Sequence, residues 1–387
     1  MLSEKESFSL YIHIPYCVSK CPYCDFNVHV VARIPEIEYT DALLKELTTY
    51  AQWDGWQGRA LKSVFFGGGT PSIFSPGTVA TILERMAALF SFAEGIEITL
   101  EANPEDRRHF FGYRCCGVNR LSIGTQSFQP HLLKSLGRVH TVDETREALR
   151  IALKAGFDNV NLDLIYGIPS QSLAELKADL DEALNFNLPH LSAYNLTIEE
   201  GTRFHRDYRS GKLIPAPEET EIAMAELIQE TLARAGLERY EISNYARAGF
   251  QSRHNLNYWQ GGDYLGIGAG AHSYLGKPRN GTFGDRWHNE KNPRRYMEEV
   301  KRSGQAVVER EESDLRKAAA EFMFMGLRMI EGIAVAEFRS RFERSPEDFY
   351  PQIRERIGEG LMEETAGRLR LTHRGLLVAN SLFVDFV

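Results

Sequence analysis

The sequence predicts an α/β fold: a parallel barrel of six β/α units, or part of one, followed by a small C-terminal domain. Three observations carry this. Through the first two-thirds of the chain, short β-rich runs alternate with stretches of helical spacing, the pattern of βαβ units. The runs are almost continuously apolar, as strands buried on both faces are. From about residue 312 the alternation stops and the chain turns charged and helical. A doubly wound sheet is the competing layout. A chain of 387 residues suits one large domain plus a smaller one.

The elements follow in chain order. FSLYIHI (8–14) is a strand ending just before a group of cysteines. EYTDALLKELTTYAQW sets Leu43, Leu44 and Leu47 at helical spacing. SVFFGGGTPS is a short buried strand running into glycines, and TVATILERMAALFSF is an amphipathic helix. GIEITLEANP is a strand stopped by Pro104. VNRLSIGTQSF is a strand, and TVDETREALRIALKAGF is a helix with a glycine stop. NVNLDLIYGIP, LAELKADLDEALNFN and LPHLSAYNLTI read as strand, helix and strand. Residues 1–237 are therefore assigned to the barrel. Residues 238–311, rich in Gly, Asn, Tyr and His and weakly periodic, read as a loop-rich tract, and long structured loops tend to carry function. Residues 312–387 read as a small α+β domain. In it, ESDLRKAAAEFMFMGLRM is a helix, and GRLRLTHRGLLVANSLFVDF is a strand entering a last helix.

Composition narrows the function classes. A net charge of -8 disfavours a broad nucleic-acid surface, and no nucleic-acid partner is expected. Five cysteines in a chain this size make no disulfide framework. The start, MLSEKESFSLYIHIPYC, has no basic region followed by a long apolar run, so no secretory signal is read. No apolar run reaches the length of a membrane span. The expected address is the cytoplasm, with peripheral contact at the inner membrane face left open.

The chemistry concentrates at strand ends. In YIHIPYCVSKCPYCDFN, Cys17, Cys21 and Cys24 make a C-x3-C-x2-C group on the loop after the first strand. In a parallel barrel that is the face where active sites collect. Thiolates at this spacing suit an iron–sulfur cluster. Three of them leave one iron of a cubane without a protein ligand, the open position that marks catalytic rather than structural sites. A zinc site completed by His13 or His29 is the alternative from spacing alone. Gly67, Gly68, Gly69 and Thr70 close the second strand, either as a plain turn or to let backbone approach a ligand. Glu101 ends the third strand, ion-paired or solvated, or accepting from a ribose hydroxyl or an ammonium group. Gln126 ends the fourth, and Arg138 supplies a fork for a carboxylate. Asp163, in an apolar strand, requires a partner: Arg138 or a cofactor hydroxyl. Five such features at successive strand ends point to one ligand at that edge.

The C-x3-C-x2-C group, with Tyr23 before its last cysteine, resembles the signature of the radical S-adenosylmethionine (SAM) superfamily. The resemblance implies a [4Fe–4S] cluster on Cys17, Cys21 and Cys24, with SAM chelating the open iron. Reduction of such a cluster can split SAM to a 5′-deoxyadenosyl radical. It further implies cofactor-binding roles for Tyr11, Tyr23, Gly68, Gly69, Thr70, Glu101, Gln126, Arg138 and Asp163, and a partial (β/α)6 barrel. YIHIPYC, GGGTPS, EANP, GVNRLSIGTQSF, NLDLIYGIP and YEISNYA together are similar to one branch of that superfamily, over nearly the whole chain. That branch holds oxygen-independent coproporphyrinogen III oxidase (HemN) and the HemW-like haem chaperones. Two departures turn the expectation away from the oxidase. Phe26 stands where the oxidase pattern has a further cysteine, and ten residues precede Tyr11 where the oxidase has a long arm.

In SRHNLNYWQGG, His254, Asn255, Tyr258 and Trp259 form H-N-x-x-Y-W, which in HemW-like proteins is associated with haem. A histidine is an ordinary axial ligand and aromatics can cover a porphyrin face; a histidine ordering its own loop is the other reading. His272 and His288 are secondary ligand candidates, and no C-x-x-C-H for covalent attachment is present. Cys115 and Cys116 read as buried small residues on a helix. The resemblance thus implies a haem chaperone that carries haem, a [4Fe–4S] cluster and SAM. It would deliver haem to acceptor haemoproteins such as respiratory enzymes, with the cluster supporting a homodimer. An oxidase-like porphyrinogen decarboxylase is the rival. No catalytic residue is assigned.

Overall fold

The computed structural model describes residues 7–276 and 283–386. Strands β1 (Ser7–Ile14), β2 (Ala60–Gly68), β3 (Ser91–Ala102), β4 (Arg120–Gln126), β5 (Asn159–Tyr166) and β6 (His190–Asn195) are parallel and lie side by side in chain order. A doubly wound sheet would reverse its order at a switch point. The straight run from β1 to β6 is instead the arc of a barrel.

The period of two explains the layering. Leu10 and Ile12 of β1, Val64 and Phe66 of β2, Leu100 of β3, Leu121 of β4 and Leu162 of β5 join the core under the helices. Leu47, Ile82, Met86, Leu149 and Leu180 meet them from helices Glu36–Ala51, Pro76–Leu89, Val142–Lys154 and Leu173–Asn185. Capping boxes at Thr141–Glu144 and Ser172–Glu175 set where two of these helices begin. The other face of the strands is buried but polar: Ser9, Ser63, Thr99, Ser122, Asn161 and Ser192. A barrel lumen filled with hydroxyls and amides is costly unless each is paired, so it marks the side that faces ligands.

The tract 238–311 corrects the expectation of a loop-rich segment. It carries β7 (Glu238–Arg239) and β8 (Asn244–Ala246) beside β6, and β9 (Tyr264–Ile267), β10 (His272–Leu275), β11 (Asp285–Asn289) and β12 (Val307–Glu312) beside β1. Among the described residues these and the six parallel strands make one twelve-stranded sheet. β9 runs parallel to β1, and β10 to β12 pair antiparallel. A buried carboxylate fastens this extension. Glu46 accepts from the Gly268 N–H at 3.0 Å, Asn289 Nδ2 at 2.7 Å and the Tyr296 hydroxyl at 2.5 Å. Burial pushes its carboxyl up to about 7.

The C-terminal segment has its own core of Met323, Leu327, Phe338, Phe342, Ile353, Leu369 and Leu382. Strands β13 (Ile333–Ala334), β14 (Met362–Thr365) and β15 (Arg368–Leu371) form a separate sheet in the order β13-β15-β14. It docks on the sheet extension partly through an Arg286–Glu321 fork, with Nη2 to Oε2 at 2.9 Å. Among the described residues no helix is long and apolar enough to cross a membrane.

Candidate functional site

The cysteine loop leaves β1 at Ile14 and is closed by backbone. The Cys17 N–H donates to the His29 carbonyl at 3.2 Å, and the His29 N–H to the Pro15 carbonyl at 2.6 Å. The glycine turn after β2 backs it. Gly69 and Thr70 donate their N–H groups to the Ile14 and Tyr16 carbonyls, both at 2.8 Å. A Cβ on Gly69 would stand 2.6 Å from the Tyr16 oxygen, so this approach requires glycine. On the other flank, the Tyr23 ring lies 6.3 Å from that of Phe204, whose N–H donates to the Pro22 carbonyl at 2.9 Å.

The three thiols are free of disulfides and half-buried. The Thr70 hydroxyl donates to Cys17 Sγ at 3.3 Å, and Arg138 Nη1 points at Cys21 Sγ from 3.7 Å. Burial raises the Cys17 and Cys24 thiols, the latter to about 11, so binding a metal there would displace their protons to solvent. The histidines of the zinc alternative are engaged elsewhere. His13 takes the Tyr11 hydroxyl on Nδ1 at 3.0 Å and reaches the Asn27 carbonyl from Nε2 at 2.9 Å. His29 Nε2 lies 3.3 Å from Asn27 Oδ1. A donor set of three sulfurs, flanked by a hydroxyl and a guanidinium, fits an iron–sulfur cluster.

Beside the loop lie groups suited to the rest of the cofactor. Glu101 Oε2 accepts the Gly68 N–H at 3.2 Å. Burial, with the Asp163 charge added, pushes its carboxyl up to about 8. Asp163 accepts from the Ser122 hydroxyl at 3.0 Å and from Asn161 Nδ2 at 2.8 Å, and burial raises it too. Of the two partners left open for Asp163, Arg138 is not the one found: hydroxyl and amide neighbours hold Asp163. Arg138 instead donates to Asn103 Oδ1 and, from Nη2, to the Gly124 carbonyl at 3.1 Å. Asn103 Nδ2 in turn donates to the Thr70 hydroxyl at 3.3 Å, completing a relay from Arg138 to Cys17. Asn103 lay inside the EANP motif but carried no role in the sequence reading.

Arg138 Nε is buried and unpartnered, and Gln126 holds a φ of 67° that non-glycine residues rarely adopt. Carboxylates for hydroxyl or ammonium groups, and a guanidinium for a carboxylate, fit the two ends of SAM. Tyr11 sits deeper in the lumen, its ring 6.2 Å from that of Phe65.

The H-N-x-x-Y-W residues lie on helix Arg253–Trp259, whose first N–H groups are received by the lumen carboxylate of Glu97. The Ser252 hydroxyl caps it by accepting the Asn255 N–H. His254 is 1% exposed. Its Nδ1 meets the Ser63 hydroxyl and its Nε2 the Tyr258 hydroxyl, each at 2.9 Å. Burial lowers its pKa to about 3, so the ring is neutral. Both nitrogens are taken in this conformation, and ligation of iron would require Tyr258 to release Nε2. The Trp259 ring carries Arg328 at 4.7 Å, and its Nε1 is buried without a partner. His272 and His288 face each other across β10 and β11 with ring centroids 5.0 Å apart, and His288 Nε2 reaches Glu309 at 3.1 Å. Cys115 is exposed and Cys116 half-buried, against the expectation of two buried thiols. Helix Phe110–Cys115 turns Phe110 and Tyr113 inward and leaves its last turn to solvent.

Residues 11–183 match the radical SAM superfamily model, and residues 314–378 match that of the HemN C-terminal domain. The chain is 39% identical over 384 residues to "Heme chaperone HemW" of Escherichia coli (strain K12), covering 98% of each protein. It is 40% identical over 385 residues to the protein of that name from Haemophilus influenzae, covering 98% of this chain and 97% of the relative. For the one from Bacillus subtilis (strain 168) the identity is 34% over 383 residues, covering 98% and 99%. Among solved structures, coproporphyrinogen III oxidase (HemN) from Escherichia coli superposes with a TM-score of 0.83. The match covers 99% of this chain and 90% of that one at 21% identity, which establishes a shared fold.

Proposed function

Because the chain belongs to the HemW family of the radical SAM superfamily, we propose that it is a haem chaperone that also holds a [4Fe–4S] cluster and SAM. The observation that carries this reading is the 39% identity along 98% of both chains to a protein so named. The cysteine loop supports it: Phe26 is 64% exposed at its edge, with no fourth cysteine beside it. When bound, the cluster supplies a low-potential electron next to SAM. Cys17, Cys21 and Cys24 would hold that cluster, with Thr70 and Arg138 donating to sulfur, a lever on its potential. Glu101, Asp163 and Arg138 would orient SAM. The proposed recipients are acceptor haemoproteins, respiratory enzymes among them, met in the cytoplasm or at the inner membrane face. A cluster-supported homodimer is part of the same reading.

The test is transfer. Protein reconstituted anaerobically with iron and sulfide, loaded with haem and mixed with an apo-haemoprotein, is expected to pass the haem absorption band to the acceptor. With SAM and a reductant it is expected to leave coproporphyrinogen III unchanged. Anaerobic conversion of coproporphyrinogen would overturn the chaperone reading in favour of an oxidase.

Glu101 makes the SAM site pH-sensitive. With its carboxyl near 8, it keeps its proton at neutral pH and ionises above. The ionised form is the acceptor for a ribose hydroxyl or an ammonium. SAM affinity of the cluster-loaded protein is therefore expected to rise about tenfold from pH 7 to pH 9. E101Q should bind weakly at both, with only the slope that the amino group of SAM itself contributes. A parent profile no steeper than that of E101Q would remove Glu101 from the SAM contacts.

A further inference from the structure

A second concave site lies away from the cysteine loop. A partly open cavity of about 350 Å³ is bordered by helix Arg253–Trp259, strands β9 to β11, and helices Leu315–Gly326 and Val335–Phe342 of the C-terminal domain. That size falls in the range of small-molecule sites, about 300–1,000 Å³. Its walls include the aromatic and thioether side chains of Tyr258, Trp259, Tyr264, Tyr274, Phe322 and Met325, set among charged and polar groups, a mixed lining suited to a flat ring system that carries polar substituents.

The charges on the wall differ in how they are satisfied. Arg286 is neutralised by Glu321, and Arg368 lies 3.5 Å from Glu331. Arg341 is different. Its Nη2 donates to the Tyr274 hydroxyl at 3.1 Å and the Phe283 carbonyl at 3.5 Å, and its guanidinium lies over Phe322 and Phe342 at 5.9 and 5.5 Å. Among the described residues no carboxylate pairs with it. Glu337, four residues before it on the same helix, lines the cavity, and among the described residues it forms no ion pair. A half-buried guanidinium without a counter-ion, set in an aromatic wall, is a receptor for a ligand carboxylate. Trp259 adds a second unsatisfied donor, its buried Nε1. Tyr258 lines this cavity and also holds His254 Nε2, so the cavity abuts the buried imidazole.

We propose that this interdomain cavity is where the haem cargo docks, with Arg341 receiving a propionate and Tyr258, Tyr274 and Phe322 covering the macrocycle. The proposal rests on the chaperone reading and deepens it. It makes the C-terminal domain half of the cargo site, although the H-N-x-x-Y-W motif lies outside that domain.

The experiment uses the full chain, cluster-loaded and anaerobic, titrated with haemin and separately with haemin dimethyl ester, which lacks the carboxylates. The parent protein should bind haemin more tightly than the ester. R341Q should lose roughly tenfold to a hundredfold in haemin affinity, with R341K in between. The ester should bind parent and R341Q alike. Loss of both probes together in R341Q would indicate collapse of the wall and overturn the carboxylate role. If the parent binds haemin and R341Q binds it equally well, the cavity assignment falls while the chaperone reading stands. If the parent binds no haemin, the chaperone reading itself falls.

Discussion

A protein in which Cys17, Cys21 and Cys24 are all serine is expected to fold normally, to contain neither iron nor sulfide, and to lose measurable SAM binding. Serine is nearly isosteric, but its hydroxyl does not ionise to an iron ligand as a thiol does. The fold should survive because the loop is held by groups other than sulfur. Its base is closed by the Cys17–His29 and His29–Pro15 backbone bonds, and its flank by Tyr23 on Phe204. The three thiols are also only half-buried, so the substitutions should shift stability by about 1 kcal/mol or less. Haem affinity is expected to change by less than about twofold, since distant sites with no shared partner act independently. The cavity wall at Tyr264 pairs with Ser9 near the start of β1, whereas the cysteine loop begins after Ile14 at its end. Iron and sulfide assays, SAM dialysis and haem titration on one preparation check all of this. Loss of haem binding with the cluster would refute the separation of the two sites.

How far the sequence could be read depends on how many periods each element repeats. The expected strand at 8–14 is found as Ser7–Ile14, because four alternating inward and outward residues leave little room for a shift. β7 has two residues and β8 three, too short to show any period, and so the tract around them read as loop. The cysteines were legible because the whole ligand set sits within eight residues of one loop. The relay from Arg138 through Asn103 to Thr70 was not, since its members are 35 and 33 positions apart and meet only when β2, β3 and β4 pair. The Asp163–Arg138 alternative was not realised, for the opposite reason. The actual partners were close at hand: Asn161 two residues away on the same face, and Ser122 in register with it on β4. The N-x-D spacing in NVNLDLIY could have found the first of them. Of the interdomain cavity only Tyr258 and Trp259 were legible, because the rest of its lining, as far as Arg368, is assembled by docking of the C-terminal domain.

Gly69→Ala is expected to strip the cluster from an otherwise folded protein. The added Cβ would stand 2.6 Å from the Tyr16 carbonyl oxygen, 2.9 Å from that of Ile14 and 3.0 Å from the Pro15 carbonyl carbon. All three are backbone atoms of the segment that leads into Cys17, so no side chain can rotate aside. The turn must retreat, and with it go the bonds from the Gly69 and Thr70 N–H groups to Ile14 and Tyr16. Overpacking of this kind costs about 1–3 kcal/mol. The larger effect falls on cofactor chemistry, which tolerates little displacement. Thr70 would be carried away from Cys17 Sγ, Gly68 from Glu101, and the glycine turn from the ligand its backbone is expected to approach. Iron content after reconstitution is expected to fall at least several-fold, and SAM affinity at least tenfold. Gly58→Ala is the control. Gly58 has a positive φ, 76°, which Gly69 does not, but nothing lies within 4 Å of its Cβ position. It should cost about 1 kcal/mol in stability and leave iron and SAM untouched. Full iron content and parent-like SAM affinity in Gly69→Ala would show that the cysteine loop has slack, and that contact with the glycine turn does not set its position.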